Sequence, residues 1–104
     1  MASYALVVTS SAKDGRDDEY NDWYDSTHLA DICAIPGVVS GRRLEASPAS
    51  PNPTPSTYLA IYEIETDDPA AVMAELGRRA QAGLMPVTDA LDLASAQLWL
   101  FKQR

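Results

Sequence analysis

The order of strand-like and helix-like segments is the feature that most constrains the fold of this chain. Four segments have the period-two pattern of apolar, β-branched and aromatic residues that is typical of a β-strand. They are Tyr4–Thr9, Val38–Leu44, Tyr58–Ile64 and Ser95–Phe101. One helical pattern lies between the first two strands, and another lies between the last two. The chain is therefore expected to run strand, helix, strand, strand, helix, strand.

Both helices have recognisable ends. The first is predicted from about Arg16 to His28, or to Asp31 if its last turn frays, with Asp14 or Asp17 as its N-cap. Acidic residues occupy its first turn, where the helix dipole favours them. The second helix is predicted to start at an Asp68 cap followed by Pro69 and to stop at Gly83. The segment from 84 to 93 is expected to be a connection.

This order predicts a ferredoxin-like α+β fold, in which a four-stranded antiparallel sheet carries both helices on one face. A length of 104 residues fits a single domain, 1–104. The proline-rich segment 46–57 is expected to be an exposed connection between strands. Since both faces of the predicted strands are apolar or aromatic, the face without helices should also be covered. A second copy, related by two-fold symmetry, would cover it and make a homodimeric barrel.

Composition limits the classes of partner and the compartment. The formal net charge of −7 disfavours nucleic acid and anionic membranes, because both require clustered Lys and Arg. The single cysteine, Cys33, cannot form an internal disulfide, which favours an intracellular protein. The sequence shows neither a signal-peptide pattern nor an apolar run of about 20 residues, so a cytoplasmic location is expected. With one His and one Cys, no metal site is expected.

The first helix carries the candidate site. At helical spacing, Tyr20, Tyr24 and His28 form one stripe, with Trp23 beside it. Two phenols and an imidazole in place of Leu, Ile or Val suit a helix face that closes over a pocket. His28 is the candidate general acid/base, although it could instead cap the carbonyls at the helix end. Tyr20 and Tyr24 could orient a substrate oxygen or simply pack the helix on the sheet, and Trp23 could belong to the core.

Other candidate binding residues lie on the strands. Arg42 and Arg43 should point to opposite faces of their strand, and a covered Arg needs a carboxylate partner or an anionic ligand. The candidate carboxylates are those of Asp22, Asp25 and Asp31. Gly41, in the same strand, predicts a bulge or a close approach by another group. Tyr62 and Trp99 are expected to line either the cavity or a dimer interface.

Two stretches, 19–29 and 35–43, resemble the EthD-like branch of the dimeric α+β barrel superfamily. The resemblance rests on an aromatic helix ending in Trp-Tyr-x-x-x-His, followed by a short apolar stretch, Pro-Gly and a strand with Arg. The motif spans about residues 16–44, and the order of elements agrees over the whole chain. His28 occupies the position of the family's histidine.

The resemblance implies a small dimer with an apolar cavity between sheet and helices. The superfamily includes muconolactone isomerases, polyketide cyclases, cofactor-free quinol monooxygenases and haem-degrading enzymes. The last class is not favoured, because the strand-borne His or Asn expected of it is missing.

The leading hypothesis is a cofactor-independent cyclase or isomerase, with monooxygenase as a further option, acting on an aromatic, polyketide-like or lactone substrate. In it, His28 moves the proton, Tyr20 and Tyr24 hydrogen-bond an oxygen, and an Arg holds an anionic end. The alternatives are a dimeric binding or accessory protein for a small hydrophobic ligand, and a protein whose cavity is filled by its own side chains.

Overall fold

The computed structural model describes all 104 residues and has the expected ferredoxin-like α+β fold. Its strands are β1 (Ala2–Ala12), β2 (Val38–Glu45), β3 (Tyr58–Thr66) and β4 (Leu91–Lys102). They form one antiparallel sheet in the order β2-β3-β1-β4. The first and third strands are thus central, and the second and fourth are edges.

The edge strand β4 begins earlier than its sequence pattern indicates. It pairs with β1 from Leu91, so the end of the segment expected to be a connection is strand. The pairing shifts register between Thr9 and Ser11, where an irregularity interrupts the ladder. A register shift of this kind breaks the period-two pattern, which explains why the pattern alone places the start of β4 too late.

The first helical segment is longer than predicted and is not uniform. Helix α1 (Asp17–Trp23) continues through a π-helical segment (Tyr24–His28) into α2 (Leu29–Cys33). The prediction of an end near His28 or Asp31 is therefore wrong. The predicted cap is wrong as well, because Arg16 occupies the N-cap position without a side-chain bond. The Asp17 carboxylate instead accepts a hydrogen bond from the Tyr58 hydroxyl at 2.7 Å.

Helix α3 (Pro69–Gln81) confirms both of its predicted ends. The Asp68 carboxylate accepts a hydrogen bond from the Ala71 amide at 3.1 Å. Gly83, just beyond the helix, has a φ of +72°, a conformation that glycine adopts without steric cost. None of the helices is long and apolar enough to cross a membrane.

The core lies between the helices and one face of the sheet. Its largest fully buried side chains are Leu6, Tyr20, Ile35, Tyr62 and Ile64. Gly41 marks a close approach, as predicted. A Cβ at this position would lie 2.8 Å from the Tyr62 ring and 2.9 Å from Cys33 Sγ. The helix and the sheet can meet here only because residue 41 has no side chain.

The other face of the sheet, which we call the open face, carries no helix. Its apolar side chains, placed by strand register, are Val7, Leu44, Leu59, Ile61, Trp99 and Phe101. Trp99 and Phe101 are 39% and 59% exposed. The sheet is therefore apolar on both faces, as predicted, but this chain covers only one of them.

Candidate functional site

A cavity of about 280 Å³ lies between the sheet and the helices and opens at the edge strand β4. Ten of its twelve lining residues are hydrophobic, and the other two are Ser10 and His28. The hydrophobic residues are Val8, Trp23, Tyr24, Ile32, Leu76, Ala80, Leu91, Leu93, Ala96 and Leu98. Leu93 and Leu98 are 74% and 52% exposed, so they form an apolar rim. No charged side chain lines the cavity.

A larger depression lies elsewhere on the surface but has a different character. It measures about 590 Å³, is shallow and open, and is bordered by Met1, Gly37 and Thr66 among others. Four of its lining residues are acidic and none is aromatic. Small-molecule sites are usually enclosed, largely apolar and provided with a few convergent polar groups. The smaller cavity beside His28 fits that description better, and it is the candidate site.

The π-helical segment sets the position of His28. The Leu29 amide donates to the Tyr24 carbonyl, five residues back, which is the π-helical pattern. In an α-helix, side chains five residues apart point about 140° away from each other. Here the Trp23 and His28 rings stack at 4.4 Å between centroids, with 21° between their planes. The Tyr24 ring meets the same imidazole edge-on at 4.9 Å. His28 is therefore held between two aromatic rings at the cavity wall.

The two nitrogens of His28 differ in their surroundings. Nδ1 is buried and has no hydrogen-bond partner, whereas Nε2 is not buried and also lacks a protein partner. Burial lowers the pKa of His28, and the Asp31 carboxylate opposes that shift only in part. The imidazole is therefore neutral near pH 7. The capping alternative is wrong, because the helix continues to Cys33 and the ring donates to no carbonyl.

Tyr20 and Tyr24 are buried, and their hydroxyls face different partners. The Tyr20 hydroxyl lies 2.6 Å from Ser10 Oγ, in a bond that either group can donate. The Tyr24 hydroxyl accepts a hydrogen bond from Tyr62 at 3.3 Å, which leaves the Tyr24 proton free to donate elsewhere. Burial raises the pKa of all three phenols, so they stay protonated at neutral pH. Tyr24 lines the cavity, whereas Tyr20 reaches it only through Ser10.

Ser10 is a cavity residue that no motif in the sequence indicates. It follows Leu6 and Val8 on the helix-facing side of β1, and it is 4% exposed. When a serine takes the next position in a strand whose alternate residues are apolar, its hydroxyl is expected to be buried and to need a partner. This signal in the sequence is weak. Its partner, Tyr20, lies on the next element along the chain, and only the fold brings them together.

Arg43 is held in an internal ion pair. Its guanidinium donates to the Asp25 carboxylate at 2.7 Å and to the Asn21 side-chain oxygen at 2.8 Å. It also lies 4.4 Å from the centre of the Tyr24 ring, and it does not line the cavity. Of the three carboxylates considered from the sequence, Asp25 is the partner. Arg42 is exposed on the opposite face of the sheet, so neither arginine lines the cavity.

The remaining predicted residues divide between the two faces of the sheet. Trp23 lines the cavity and donates from Nε1 to the Pro86 carbonyl at 2.9 Å. Tyr62 is fully buried beneath Tyr24 and does not line the cavity. Trp99 lies on the open face. The structure thus brings together His28, Tyr24 and Trp23, with Tyr20 one hydrogen bond away, and it separates them from Arg42 and Trp99.

Comparisons with known proteins agree with this fold. No protein-family model and no curated protein sequence matches the chain. Among solved structures, an EthD family protein from Bacillus halodurans is 11% identical, covers 100% of both chains and has a TM-score of 0.65. SnoaB, a cofactor-independent oxygenase from Streptomyces nogalater, is 16% identical over 100% of this chain and 95% of that one, with a TM-score of 0.62. The heme-degrader MhuD from Mycobacterium tuberculosis is 15% identical over 96% and 94%, with a TM-score of 0.67. At these identities the likeness shows the fold, and the match to an EthD family structure agrees with the resemblance seen in the sequence.

The cavity does not suit haem, which MhuD is described as binding. Its volume of about 280 Å³ is at the lower limit for ligand pockets, which suits a small molecule and not a large tetrapyrrole. Haem also carries two anionic propionates, and no cationic side chain lines this cavity to meet them. The structure brings together no group of three or more His, Cys, Asp or Glu side chains that could hold a metal ion.

Proposed function

We propose that this protein is a cofactor-independent enzyme that moves a proton next to a carbonyl group in a small, uncharged, hydrophobic substrate. The observation that carries the proposal is one neutral imidazole at the wall of an apolar cavity, with Nε2 accessible and without a protein partner. A general base must be unprotonated at working pH and free to reach the substrate, and His28 meets both conditions. Aromatic ketones, polyketide-like molecules and lactones are substrates of this chemical class.

The reaction can be written with the residues that line the cavity. Nε2 of His28 takes a proton from the carbon beside the carbonyl, and the carbonyl oxygen gains negative charge. The free hydroxyl proton of Tyr24 is available to hydrogen-bond that oxygen, and Ser10 can donate as well when Tyr20 donates to it. Return of the proton to another carbon completes an isomerisation. Attack of the same carbanion on a second carbonyl, with the proton passing to the new alkoxide, completes a cyclisation.

An anionic substrate group has no place in this proposal. The hypothesis that an arginine holds such a group required Arg42 or Arg43 at the cavity. Arg43 is occupied by Asp25 and Asn21, and Arg42 lies on the opposite side of the sheet. Transfer of a charged substrate into an uncharged apolar cavity would cost its hydration without a compensating partner. Neutral substrates are therefore expected to bind better than the corresponding carboxylates.

We also propose that the protein is a homodimer formed through the open face. That face presents three large side chains, Leu44, Trp99 and Phe101, that are between 39% and 59% exposed. Contiguous apolar surface of this kind is usually covered in solution. A second copy related by two-fold symmetry provides an identical sheet and excludes water from both. In this arrangement Trp99 belongs to the dimer interface and not to the substrate site.

The alternative is a dimeric protein that binds a small hydrophobic ligand without converting it. The apolar lining of the cavity supports this alternative as well as it supports an enzyme. The two differ in what they require of His28, because a binding protein needs only the shape and polarity of the cavity. A cavity filled by the protein's own side chains, the third option, does not agree with the open volume beside His28.

The test uses the only histidine of the chain. The imidazole signals of His28 are followed by NMR while neutral aromatic ketones, lactones and phenols are added, alongside matched carboxylates. The proposal expects shifts with neutral compounds and little response to the carboxylates. Binders are then assayed for hydrogen–deuterium exchange beside their carbonyl, with His28→Gln as the comparison and an oxygen electrode to detect oxygenase activity. Exchange that His28→Gln abolishes supports the enzyme. Binding with no exchange and no conversion supports the binding protein, and a His28 signal that no compound moves contradicts both.

A further inference from the structure

Two buried polar atoms without partners lie one helical turn apart. They are Nδ1 of His28 and Oδ2 of Asp31. The two side chains form no hydrogen bond with each other in this structure. Side chains three residues apart are nevertheless neighbours on a helix surface, and the Asp31 carboxylate is close enough to act on the charge of His28. A buried polar atom without a partner is costly, and two such atoms of complementary kinds on one helical turn invite a common explanation.

The tautomer of His28 supplies that explanation. A neutral imidazole carries one proton, on either Nδ1 or Nε2. Nε2 faces the accessible side, so it can act as a base only when the proton is on Nδ1. A proton on the buried Nδ1 requires an acceptor, since burial without one is unfavourable. Asp31 Oδ2 is a buried acceptor that has no donor.

We infer that Asp31 is the positioning residue of His28: a rotation of the Asp31 side chain brings its carboxylate to Nδ1, where it accepts the proton and thereby presents the Nε2 lone pair to the cavity. The inference rests on the proposed function, because it assigns a partner to the base of that site. In known catalytic triads a carboxylate does the same for a histidine, holding the tautomer and stabilising the imidazolium that forms when the base takes its proton. Asp31 does not touch the cavity, and it acts only through the ring of His28.

No other charged group competes for this role. The titratable groups that face His28 are Asp31 and the phenol of Tyr24, whose burial keeps it protonated. The walls contributed by β1, β4 and α3 carry no charge. On α3, Glu75 pairs with Arg78 and Arg79 and lies outside the cavity lining.

The test reads the tautomer directly and needs no substrate. The ¹⁵N chemical shifts of the two imidazole nitrogens distinguish Nδ1–H from Nε2–H, and the single histidine makes their assignment unambiguous. The full-length protein should show mainly Nδ1–H near pH 8. Asp31→Ala should shift the tautomer ratio toward Nε2–H by about tenfold, the factor expected for the loss of one hydrogen bond to a charged group. Asp31→Asn has nearly the same shape and keeps a carbonyl acceptor, so it should give an intermediate ratio.

The matched control is Asp22→Ala, which removes an exposed carboxylate from the same helical segment and should leave the ratio unchanged. Near-UV circular dichroism checks that each variant is folded. If Asp31→Ala does not fold, the tautomer ratio is compared between the wild type and Asp31→Asn. A wild-type spectrum dominated by Nε2–H would overturn the inference, and so would a ratio that neither Asp31 substitution alters. Because the readout is independent of turnover, a protein that only binds its ligand could still show the Asp31 effect. If exchange activity is found, the acidic limb of its pH profile, which reports the protonation of His28, should move to lower pH in Asp31→Ala, because the Asp31 carboxylate raises the pKa of His28.

Discussion

Trp23 and His28 stack face to face, although they are five positions apart on one helical segment. The π-helical segment between them turns His28 into register with Trp23 and leaves the imidazole largely out of water. π-helical segments are short, rare and often found at functional sites. Because burial is the main cause of the lowered pKa of His28, this stacking keeps the imidazole neutral.

The first prediction concerns the two tryptophans. Trp23→Ala should raise the pKa of His28 toward its ordinary value of about 6.5, because removing the stacked indole exposes the imidazole to water. NMR titration of the single histidine measures this pKa. Trp99→Ala, the matched control on the open face, should leave it unchanged. A pKa that responds equally to both substitutions would mean that a general loosening of the fold, and not the stacking, sets its value.

The second prediction concerns the pH dependence of stability. Burial makes the pKa of His28 lower in the folded protein than in the unfolded chain. At pH values between these two pKa values, the unfolded chain binds a proton that the folded protein does not. The free energy of unfolding should therefore fall as the pH falls below about 6.5. Above that pH, His28 is neutral in both states and should cause no pH dependence of stability. His28→Gln cannot bind the proton. Urea unfolding at pH 7.5 and 5.5 should show a smaller loss of stability for His28→Gln than for the wild type, and an equal loss would contradict the burial argument.

The third prediction uses two glycines that have opposite surroundings. Gly41→Ala places a Cβ against the Tyr62 ring and Cys33 Sγ, at 2.8 and 2.9 Å, and should lower the free energy of unfolding by about 1–3 kcal/mol. Gly77→Ala lies in helix α3 with nothing within 4 Å, so it should raise that energy by about 0.5–1 kcal/mol. Chemical denaturation measures both. A neutral Gly41→Ala would show that the helix and the sheet are not as tightly packed there as the geometry indicates.

The fourth prediction concerns the arginine pair. Arg43→Lys should destabilise the protein by about 1 kcal/mol, because an ammonium cannot reproduce the two-pronged contact with Asp25 and Asn21 or lie flat on the Tyr24 ring. Arg42→Lys changes an exposed side chain and should stay within about 0.5 kcal/mol of the wild type. The two variants are compared by urea midpoint at the same protein concentration. Equal effects would argue against a specific role for the Arg43 contacts.

The fifth prediction tests the dimer. Ile61 lies in the central strand β3, with its side chain on the open face. Ile61→Glu places a charge in the middle of the proposed interface and should convert the protein to monomers in sedimentation experiments at micromolar concentration. Ala74→Glu adds the same charge on the exposed side of α3 and should leave the dimer intact. A wild-type protein that sediments as a monomer would refute the dimer but not the cavity chemistry, because the cavity lies on the other side of the sheet.

The sequence by itself determined the order of the elements and the ends of α3. Strand alternation, the Asp68 cap and the Gly83 stop depend on residues close together in the chain, so local patterns suffice to identify them. The aromatic stripe of Tyr20, Tyr24 and His28 was likewise visible as a helical repeat. Gly41 was recognisable as a point of close approach because an isolated glycine weakens a strand unless another group needs the space.

The tertiary structure alone decided which partners these residues meet. The Ser10–Tyr20 bond and the choice of Asp25 for Arg43 depend on contacts between separate elements, and for the arginine the sequence offered three candidate carboxylates. The early start of β4 follows from its pairing with β1, and the π-helical segment inserts a local irregularity that a regular helical repeat does not predict. Long-range pairing and packing are collective properties of the folded chain. For that reason the neutral state of His28 and the uncharged lining of the cavity emerged only from the fold.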